Sequence, residues 1–227
     1  MYFARPVLVN QTRTVTQFST LIADSSFEAS CAASGTFLLA VRRSGIFIGF
    51  FTFCNQEGFF NGYYNNDGNA VDGILHDGKL RFGLTAQTFS IMSGAATEEQ
   101  VQKIIRAVDH YLPDKHTGGI RLTLPLGDNT WNFGRGFALI YGEKENGGMF
   151  SHMTTMYAYA LYSRGYVRAG YQILKSIYEL STNTRSAQIY PGVPEYISSR
   201  GRGMYSYVTG AGSWIIFLML TQVYGVR

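Results

Sequence analysis

The segment from Thr97 to Pro113 constrains the fold of this 227-residue chain most, because it holds the start, the apolar face and the end of one helix. Thr97 and Gln100 have the spacing of a capping box, with two glutamates in the first turn. Pro113 lacks the amide proton that would continue the helix. Between these signals the apolar residues recur at helical spacing; they are Val101, Ile104, Ile105, Val108 and Leu112. The segment therefore predicts an amphipathic helix that packs against other elements.

Four further segments predict helices, at residues 84–94, 149–162, 166–180 and 210–224. The expected apolar side of the segment 166–180 consists of Val167, Tyr171, Leu174, Ile177 and Tyr178. The loops between the helices are long, rich in glycine and aromatic. We therefore predict a mainly α fold of antiparallel helix pairs, of the α/α-toroid kind. The first 55 residues show neither clear caps nor a stable period.

The composition excludes several classes of function. A hydrophobic fraction of 46% excludes a disordered chain. Charged residues make up 15% of the chain. The 19 Lys and Arg exceed the 15 Asp and Glu by only four, and they are too scattered to predict nucleic-acid binding. Aromatic residues also make up 15%. This balance is typical of a surface that binds neutral polar ligands, and the small excess of base suits an anion such as phosphate.

The cysteines and the apolar runs predict a cytoplasmic protein without a metal centre. Cys31 and Cys54 have no metal-ligand spacing and are too few for a disulfide framework. The most apolar runs, residues 45–54 and 214–224, reach about half the length of a membrane span. The first residues lack the pattern of a signal peptide. We expect neither a membrane nor a nucleic acid as a partner.

The segment 142–152, GEKENGGMFSH, is the first candidate site. Its two adjacent glycines would let the backbone approach a ligand closely. His152 is predicted at the start of a helix, where free amides favour an anion. Lys144 and Glu145 would then bind sugar hydroxyls. The alternative is a solvated charged turn followed by a histidine that caps the helix.

The segment 207–214, YVTGAGSW, is the second candidate site. Small residues that include Thr209 and Gly210 open an apolar helix, and their amides could hold a phosphate. Arg200 and Arg202 lie just upstream, and arginine matches phosphate geometry. The alternative is a Thr N-cap with small residues for close helix packing.

Other residues could complete a sugar site. The loop YYNNDG at 63–68, which contains Tyr64 and Asp67, has the composition of a sugar site and also that of an ordinary turn. Arg135, Glu195 and Arg202 are further candidates for substrate binding. Asp72 follows this loop, and Trp131, Asn132 and Arg135 lie between predicted helices, where they could line the same cleft. No Ser/His/Asp arrangement and no phosphate-binding glycine motif is evident.

Taken together, these segments resemble the catalytic domain of the inverting glycoside phosphorylases of glycoside hydrolase family 94, the cellobiose and chitobiose phosphorylase family. The motifs that carry the resemblance are YYNNDG at 63–68, LTAQTFSIMSGAAT at 84–97, KENGGMFSH at 144–152 and YVTGAGSW at 207–214. The segments IYPGVPEY at 189–196 and GRGMYSYVTG at 201–210 are most similar to the branch that acts on β-1,2-linked glucooligosaccharides. The resemblance covers about residues 59–227 and leaves 1–58 as a poorly matched N-terminal segment.

The resemblance implies part of an (α/α)6 barrel, a six-hairpin toroid with long loops. It also implies a reversible reaction in which inorganic phosphate, the co-substrate, cleaves the oligosaccharide with inversion to α-glucose 1-phosphate; no other cofactor is implied. His152 matches the phosphate-binding histidine of the family, and Thr209 with Gly210 matches its phosphate-binding Thr-Gly pair. Lys144 matches a lysine at the acceptor sugar site. A family glutamine that contacts phosphate has Gln188 as its weak counterpart here.

One part of the family pattern is missing. An inverting mechanism needs a carboxylic acid that protonates the leaving oxygen. The aspartate segment that supplies it in the family has no match in residues 1–58, so no catalytic residue is assigned, and we expect the C-terminal part of a larger enzyme. Two alternatives remain, a non-catalytic carbohydrate-binding remnant and a hydrolase or transferase on the same toroid. A homodimer is also left open.

Overall fold

The computed structural model describes residues 52–54, 58–65, 69–128, 130–190, 192–206 and 209–226, with only the backbone of 52–54, 131 and 132. The predicted N-terminal segment 1–58 lies almost wholly outside these residues, and so does Asp67. About half of the described residues are helical, and some form short strands. The prediction of a mainly helical fold is confirmed to this extent.

The described residues form six α-helices. They are α1 (Leu84–Met92), α2 (Glu98–Tyr111), α3 (Ser151–Ser163), α4 (Val167–Thr182), α5 (Thr184–Ala187) and α6 (Gly210–Leu218). A π-helical turn, Met219–Val223, continues α6, and two 3-10 turns, Thr130–Phe133 and Arg135–Ala138, precede α3. All five predicted helices are present, although the third begins at Ser151 and not at Met149. Met149 and Phe150 instead form a strand.

Helix α3 lies at the centre of the core, packed against α1, α4 and α6. Nine of its thirteen residues are buried, which explains why the sequence of α3 shows no single apolar face. Tyr157 is the largest of its fully buried side chains. The central position of α3 means that its first turn is held by contacts on several sides.

Helix α2 follows its sequence signals closely. The side chain of Thr97 accepts a hydrogen bond from the amide of Gln100, and the Gln100 side chain accepts one from the amide of Thr97, so the predicted capping box is confirmed. Val101, Ile104 and Val108 are fully buried, as is Leu112, while Ile105 is half-buried. Local signals thus determine both the position and the orientation of this helix.

The predicted apolar side of α4 is only partly confirmed, because Ile177 is buried and Leu174 packs half-buried against the core. Val167, Tyr171 and Tyr178 are more than half exposed. The buried side consists of Gly170, Ile173, Ile177 and Ser181, of which only Ile177 belongs to the predicted set. The reason is a close approach of α4 to α3: a Cβ on Gly170 would lie 2.6 Å from the ring of Tyr162. A glycine gives no hydrophobic signal, so the sequence pattern pointed to the neighbouring tyrosines.

Seven short strands form three antiparallel sheets within the described residues. Strand β1 (Thr52–Cys54) pairs with β2 (Phe59–Asn61), and β3 (Ile74–His76) pairs with β4 (Lys79–Arg81). The third sheet has the order β5 (Met149–Phe150), β6 (Tyr196–Ile197) and β7 (Gly203–Met204). It opposes Phe150 to Tyr196 and Tyr196 to Met204. This sheet brings the loop before α3 next to the loop before α6.

Helix α6 is apolar on all sides, yet Ile216 and Phe217 are exposed. Among the described helices, none combines the length and the apolar character needed to cross a lipid bilayer.

Candidate active site

The first turn of α3 places His152 beside Glu195, which directly precedes β6. The His152 Nδ1 atom lies 3.5 Å from the Glu195 Oε1 atom. The backbone of Glu195 is held on both sides, because its carbonyl accepts the amide of Ser151 at 2.9 Å and its amide donates to Met204 and Tyr205. The sheet therefore fixes the carboxylate against the histidine.

Two polar atoms of this pair lack partners. Among the described residues, neither Nε2 of His152 nor Oε2 of Glu195 has a hydrogen-bond partner, and both atoms are shielded from solvent. The His152 ring contacts Phe150 edge-on, with the ring centroids 5.6 Å apart. A buried polar atom without a partner costs free energy. The arrangement therefore leaves a donor available for a ligand.

The start of α6 packs directly against the same histidine. A Cβ on Gly210 would lie 2.5 Å from Nδ1 of His152, so the backbone of α6 approaches the ring more closely than any other residue would allow. Thr209 caps α6, since its hydroxyl accepts the amide of Gly212 at 3.3 Å and donates to the carbonyl of Val193 at 3.1 Å. The N-cap alternative for Thr209 is thus what the structure shows. The N-termini of α3 and α6, which carry the positive ends of the helix dipoles, therefore meet at His152.

The loop before α3 is held by Arg121. The Arg121 guanidinium forms an ion pair with Asp114 and donates from Nη1 to the carbonyl of Gly147 at 2.8 Å. It also lies over the ring of Tyr141, 5.2 Å from the centroid. Burial opposes ionisation of Asp114, but hydrogen bonds from Thr117 and the charge of Arg121 lower its pKa below the usual value. Arg121 therefore anchors the loop that carries Lys144.

Lys144 and Glu145 project from this loop toward the aromatic side chains of the sheet. Glu145 accepts a hydrogen bond from the Tyr196 hydroxyl at 2.9 Å. Burial and then this hydrogen bond raise the pKa of Tyr196. Lys144 donates to the Tyr205 hydroxyl at 2.6 Å, and this bond raises the pKa of the ammonium group. The loop thus presents one anion and one cation beside two phenol rings.

Comparisons with known proteins decide the family. A model of the glycosyl hydrolase 94 superfamily catalytic domain matches residues 54–225. The chain belongs to this family. Its predicted membership is confirmed.

Individual relatives agree with this assignment. The chain is 26% identical to a cellobionic acid phosphorylase of Neurospora crassa, over 71% of this chain and 22% of the relative. It is 26% identical to a 3-O-beta-D-glucopyranosyl-beta-D-glucuronide phosphorylase of Paenibacillus borealis, over 77% and 23%. It is 25% identical to the cyclic beta-(1,2)-glucan synthase NdvB of Rhizobium meliloti, over 73% and 6%. The chain therefore spans less than a quarter of the length of these relatives.

Arg135 lies on the same side of this family 94 site as Lys144. The 3-10 turn that begins at Arg135 packs against the loop, since a Cβ on Gly136 would lie 3.3 Å from Glu145. The positive charge of Arg135 slightly opposes the ionisation of Lys144. The structure thus brings together His152, Thr209, Gly210, Lys144, Glu145, Glu195 and Arg135.

The other predicted site residues lie elsewhere or outside the described part. Arg202 and Arg200 are exposed in the turn between β6 and β7. Gln188 is exposed at the end of α5. Tyr64 is 44% exposed and forms a bridge with Ala70. The roles of these residues remain predictions.

Asp72 supports a turn and does not contact solvent. It is fully buried, and its Oδ1 atom accepts the amides of Gly62 and Tyr63 at 2.8 and 3.0 Å. Burial raises its pKa from 3.8 to about 6. The turn alternative therefore describes Asp72 better than sugar binding does. Within the described ranges, no group of three His, Cys, Asp or Glu side chains could hold a metal ion.

Sequence reasoning missed Tyr196, Tyr205 and Arg121 as parts of the site. Tyr196 lies next to Glu195 in the motif PEY, and Tyr205 lies in GRGMYSY. An aromatic residue beside a charged candidate in a glycine-rich loop was the available signal. Arg121 gave no such signal, because its contact with Gly147 joins segments that are distant in sequence.

Proposed function

We propose that this chain forms part of the (α/α)6-barrel catalytic domain of an inverting glycoside phosphorylase. Its substrates would be β-linked glucooligosaccharides, β-1,2-linked in particular, and its product α-glucose 1-phosphate. The observation that carries the proposal is the meeting of His152 with the first turns of α3 and α6, next to the Lys144–Glu145 loop. Family membership supports the reaction class, and the similarity to a cyclic beta-(1,2)-glucan synthase is compatible with the linkage.

The proposed phosphate site lies at His152. A phosphate oxygen would accept a hydrogen bond from Nε2, which lacks a partner among the described residues. The amides at the start of α6 would supply further donors, and Thr209 would contribute its hydroxyl once it releases Val193. The Glu195 carboxylate lies 3.5 Å from Nδ1 and would orient the ring. The His152–Glu195 pair thus presents a donor to the anion.

The proposed sugar site lies at Lys144, Glu145 and Tyr196. A carboxylate and an ammonium can each bind sugar hydroxyls, and the rings beside them can cover an apolar sugar face. Arg135, Glu195, Tyr64, Asp67 and Arg202 stay proposed contributors to the substrate site. In the reaction, a phosphate oxygen bonds to the anomeric carbon while the bond to the leaving sugar oxygen breaks. That oxygen takes a proton from a carboxylic acid, for which no residue here is assigned.

Phosphate binding tests the proposal directly. We expect calorimetry or ³¹P NMR to show phosphate binding to the wild-type chain, and a loss of affinity of about tenfold or more in His152→Ala, because hydrogen bonds to charged groups are worth about 1.5–3 kcal/mol. His110→Ala is the matched control, since His110 lies at the exposed C-terminal end of α2.

Equal phosphate affinities of His152→Ala and His110→Ala would contradict the proposed phosphate site. Formation of glucose 1-phosphate from sophorose and phosphate tests the reaction itself. A turnover that does not depend on phosphate would favour the hydrolase or transferase alternative. Glucan binding without turnover would favour the binding remnant.

A further inference from the structure

The backbone at Lys144 and Tyr205 is strained at both ends of one hydrogen bond. Lys144 has a φ of 46° and Tyr205 a φ of 58°, in the left-handed region that residues other than glycine seldom adopt. Their side chains meet across the loop, with Nζ of Lys144 2.6 Å from the Tyr205 hydroxyl. Such strain is retained where the surrounding structure enforces it, often at functional sites. Here it turns two side chains from separate loops toward each other.

Tyr205 continues a row of aromatic rings that begins at the proposed phosphate site. The ring of Phe150 stacks on that of Tyr196 at 4.5 Å and 8°. Tyr196 in turn contacts Tyr205 edge-on at 6.2 Å. The row is set by the register of the three-stranded sheet, in which Phe150 opposes Tyr196 and Tyr196 opposes the neighbour of Tyr205. The rings therefore lead from His152 to Lys144.

Tyr205 is half exposed, although its backbone is fixed. Its side chain is 50% accessible to solvent. Its carbonyl accepts the amide of Glu195 at 3.1 Å, which ties it to the residue beside His152. The Lys144 ammonium also lies 5.0 Å from the centre of the Tyr205 ring. An exposed ring in a fixed position is suited to contact a ligand that enters from solvent.

The ammonium group of Lys144 has three donors, and Tyr205 uses one of them. This bond holds the ammonium group beside the Tyr205 ring, and Glu145, the next residue of the loop, accepts a hydrogen bond from Tyr196. Without the phenol, the four-carbon side chain of Lys144 would sample many rotamers. Tyr205 thus acts on a ligand in two ways, through its own ring and through the direction it imposes on Lys144.

We propose that Tyr205 determines sugar specificity at the acceptor side of the site, by covering one face of the sugar and by positioning Lys144. This inference rests on the proposed function, because it assumes a sugar beside Lys144. The ligand class is a neutral pyranose that has one apolar face and equatorial hydroxyls. The linkage of a disaccharide determines the angle between its two sugar rings. The aromatic ring of Tyr205 would therefore fit some linkages better than others.

The experiment measures binding of sophorose, laminaribiose and cellobiose to the wild-type chain and to variants by calorimetry. We expect Tyr205→Ala to lower the affinity for the preferred disaccharide about tenfold and to level the differences among the three. Tyr190→Ala is the matched control, because Tyr190 is also a loop tyrosine and is 84% exposed. We expect it to change no affinity more than about twofold.

A second pair of variants separates the two effects of Tyr205. Tyr205→Phe keeps the ring and removes the hydroxyl, so it conserves the packing against Tyr196. We expect it to weaken binding several-fold in the wild-type background and to have no effect in a Lys144→Met background. An equal effect in both backgrounds would overturn the positioning of Lys144.

The failure of this inference differs from that of the proposed function. If the wild-type chain binds sugar and Tyr205→Ala binds it as Tyr190→Ala does, the role of Tyr205 is refuted and the proposed function stands. If the wild-type chain binds none of the three sugars, both are refuted. Thermal unfolding of each variant shows whether a loss of binding reflects a loss of the fold, and Tyr205→Phe supplies the decisive result if Tyr205→Ala unfolds.

Discussion

The first turns of α2 and α3 satisfy their polar groups in different ways. At α2, Thr97 and Gln100 exchange hydrogen bonds with the backbone, and Glu98 binds Arg164 and the hydroxyl of Tyr166. At α3, no described side chain caps the helix. Its first turn carries His152, whose Nε2 atom is shielded and has no partner among the described residues.

The difference separates a structural helix start from one that is suited to a ligand. At the start of α2, Thr97 already caps the helix and Glu98 and Glu99 supply negative charge, so an added anion would meet like charges. At the start of α3 the chain supplies the walls of a site: the carboxylate of Glu195, the backbone of Gly210 and the aromatic rings. The dipole of a helix is common to both, so the side chains around it decide the function.

The largest expected effect concerns the ion pairs near the two helix starts. Arg121→Met would leave Asp114, which is 6% exposed, without its cation. We expect a loss of about 4 kcal/mol in the free energy of unfolding, the range found for broken buried pairs. Arg164→Met removes the partner of Glu98, which is 62% exposed, and a hydrogen bond to the carbonyl of Ala96, and it should destabilise the fold much less. Urea denaturation measures both.

The Arg121 substitution should also weaken sugar binding, because Arg121 holds the carbonyl of Gly147 and thereby the loop with Lys144. The Arg164 substitution should not. Similar losses of stability in the two variants would show that the Arg121–Asp114 ion pair stabilises the fold no more than the exposed Arg164–Glu98 pair does.

The next effect is on the pH dependence of the free energy of unfolding, to which two carboxylates contribute with opposite signs. The pKa of buried Asp72 is raised to about 6 in the folded chain, against 3.8 unfolded, so the folded state binds the proton more tightly. Its contribution to stability is therefore present below pH 3.8 and is lost as the pH rises to about 6, by about 3 kcal/mol. A hydrogen bond from Arg164 lowers the pKa of Glu98, so its contribution is lost as the pH falls.

Asp72→Asn keeps an oxygen that can accept the amides of Gly62 and Tyr63. We expect it to remove the fall in stability between pH 4 and pH 6. Chemical denaturation across this range, with Glu98→Gln as the exposed control, measures the difference. A wild-type curve that rises throughout this range and is unchanged in Asp72→Asn would contradict the assignment.

The sequence predicted α2 almost completely, because its cap, its apolar stripe and its final proline are all local. It was only partly right at α4, where Ile177 is buried as predicted but the close approach of Gly170 to Tyr162 rotates the buried face away from Tyr171 and Tyr178. The neighbouring helix determines which face of a helix is buried, and a glycine at the contact adds nothing to the hydrophobic pattern of the sequence. Helix positions were thus more predictable than helix orientations.

The site was predictable in its residues and not in its geometry. The motifs pointed to His152, Lys144 and Glu145, which contact Glu195, Tyr205 and Tyr196 respectively. The pairing of Phe150 with Tyr196 joins residues far apart in sequence, and two-residue strands have no detectable period. Tyr205 directly follows the two-residue strand β7, so its position depends on the same pairing of distant segments.

The smallest expected effect tests the contact between α6 and His152. Gly210→Ala would place a Cβ 2.5 Å from the ring of His152, and the ring or the helix must move. We expect a loss of about 2 kcal/mol in the free energy of unfolding from overpacking, and weaker phosphate binding because His152 is displaced.

Gly212→Ala is the matched control, because among the described residues its Cβ would contact only the hydroxyl of Thr209, at an ordinary distance of 3.6 Å. Alanine favours a helix over glycine by about 0.5–1 kcal/mol, so this variant should be neutral or more stable and should bind phosphate normally. The two substitutions add the same methyl group to the same first turn. If both bind phosphate as the wild type does, the close contact at His152 serves packing alone, and the start of α3 no longer differs in function from that of α2.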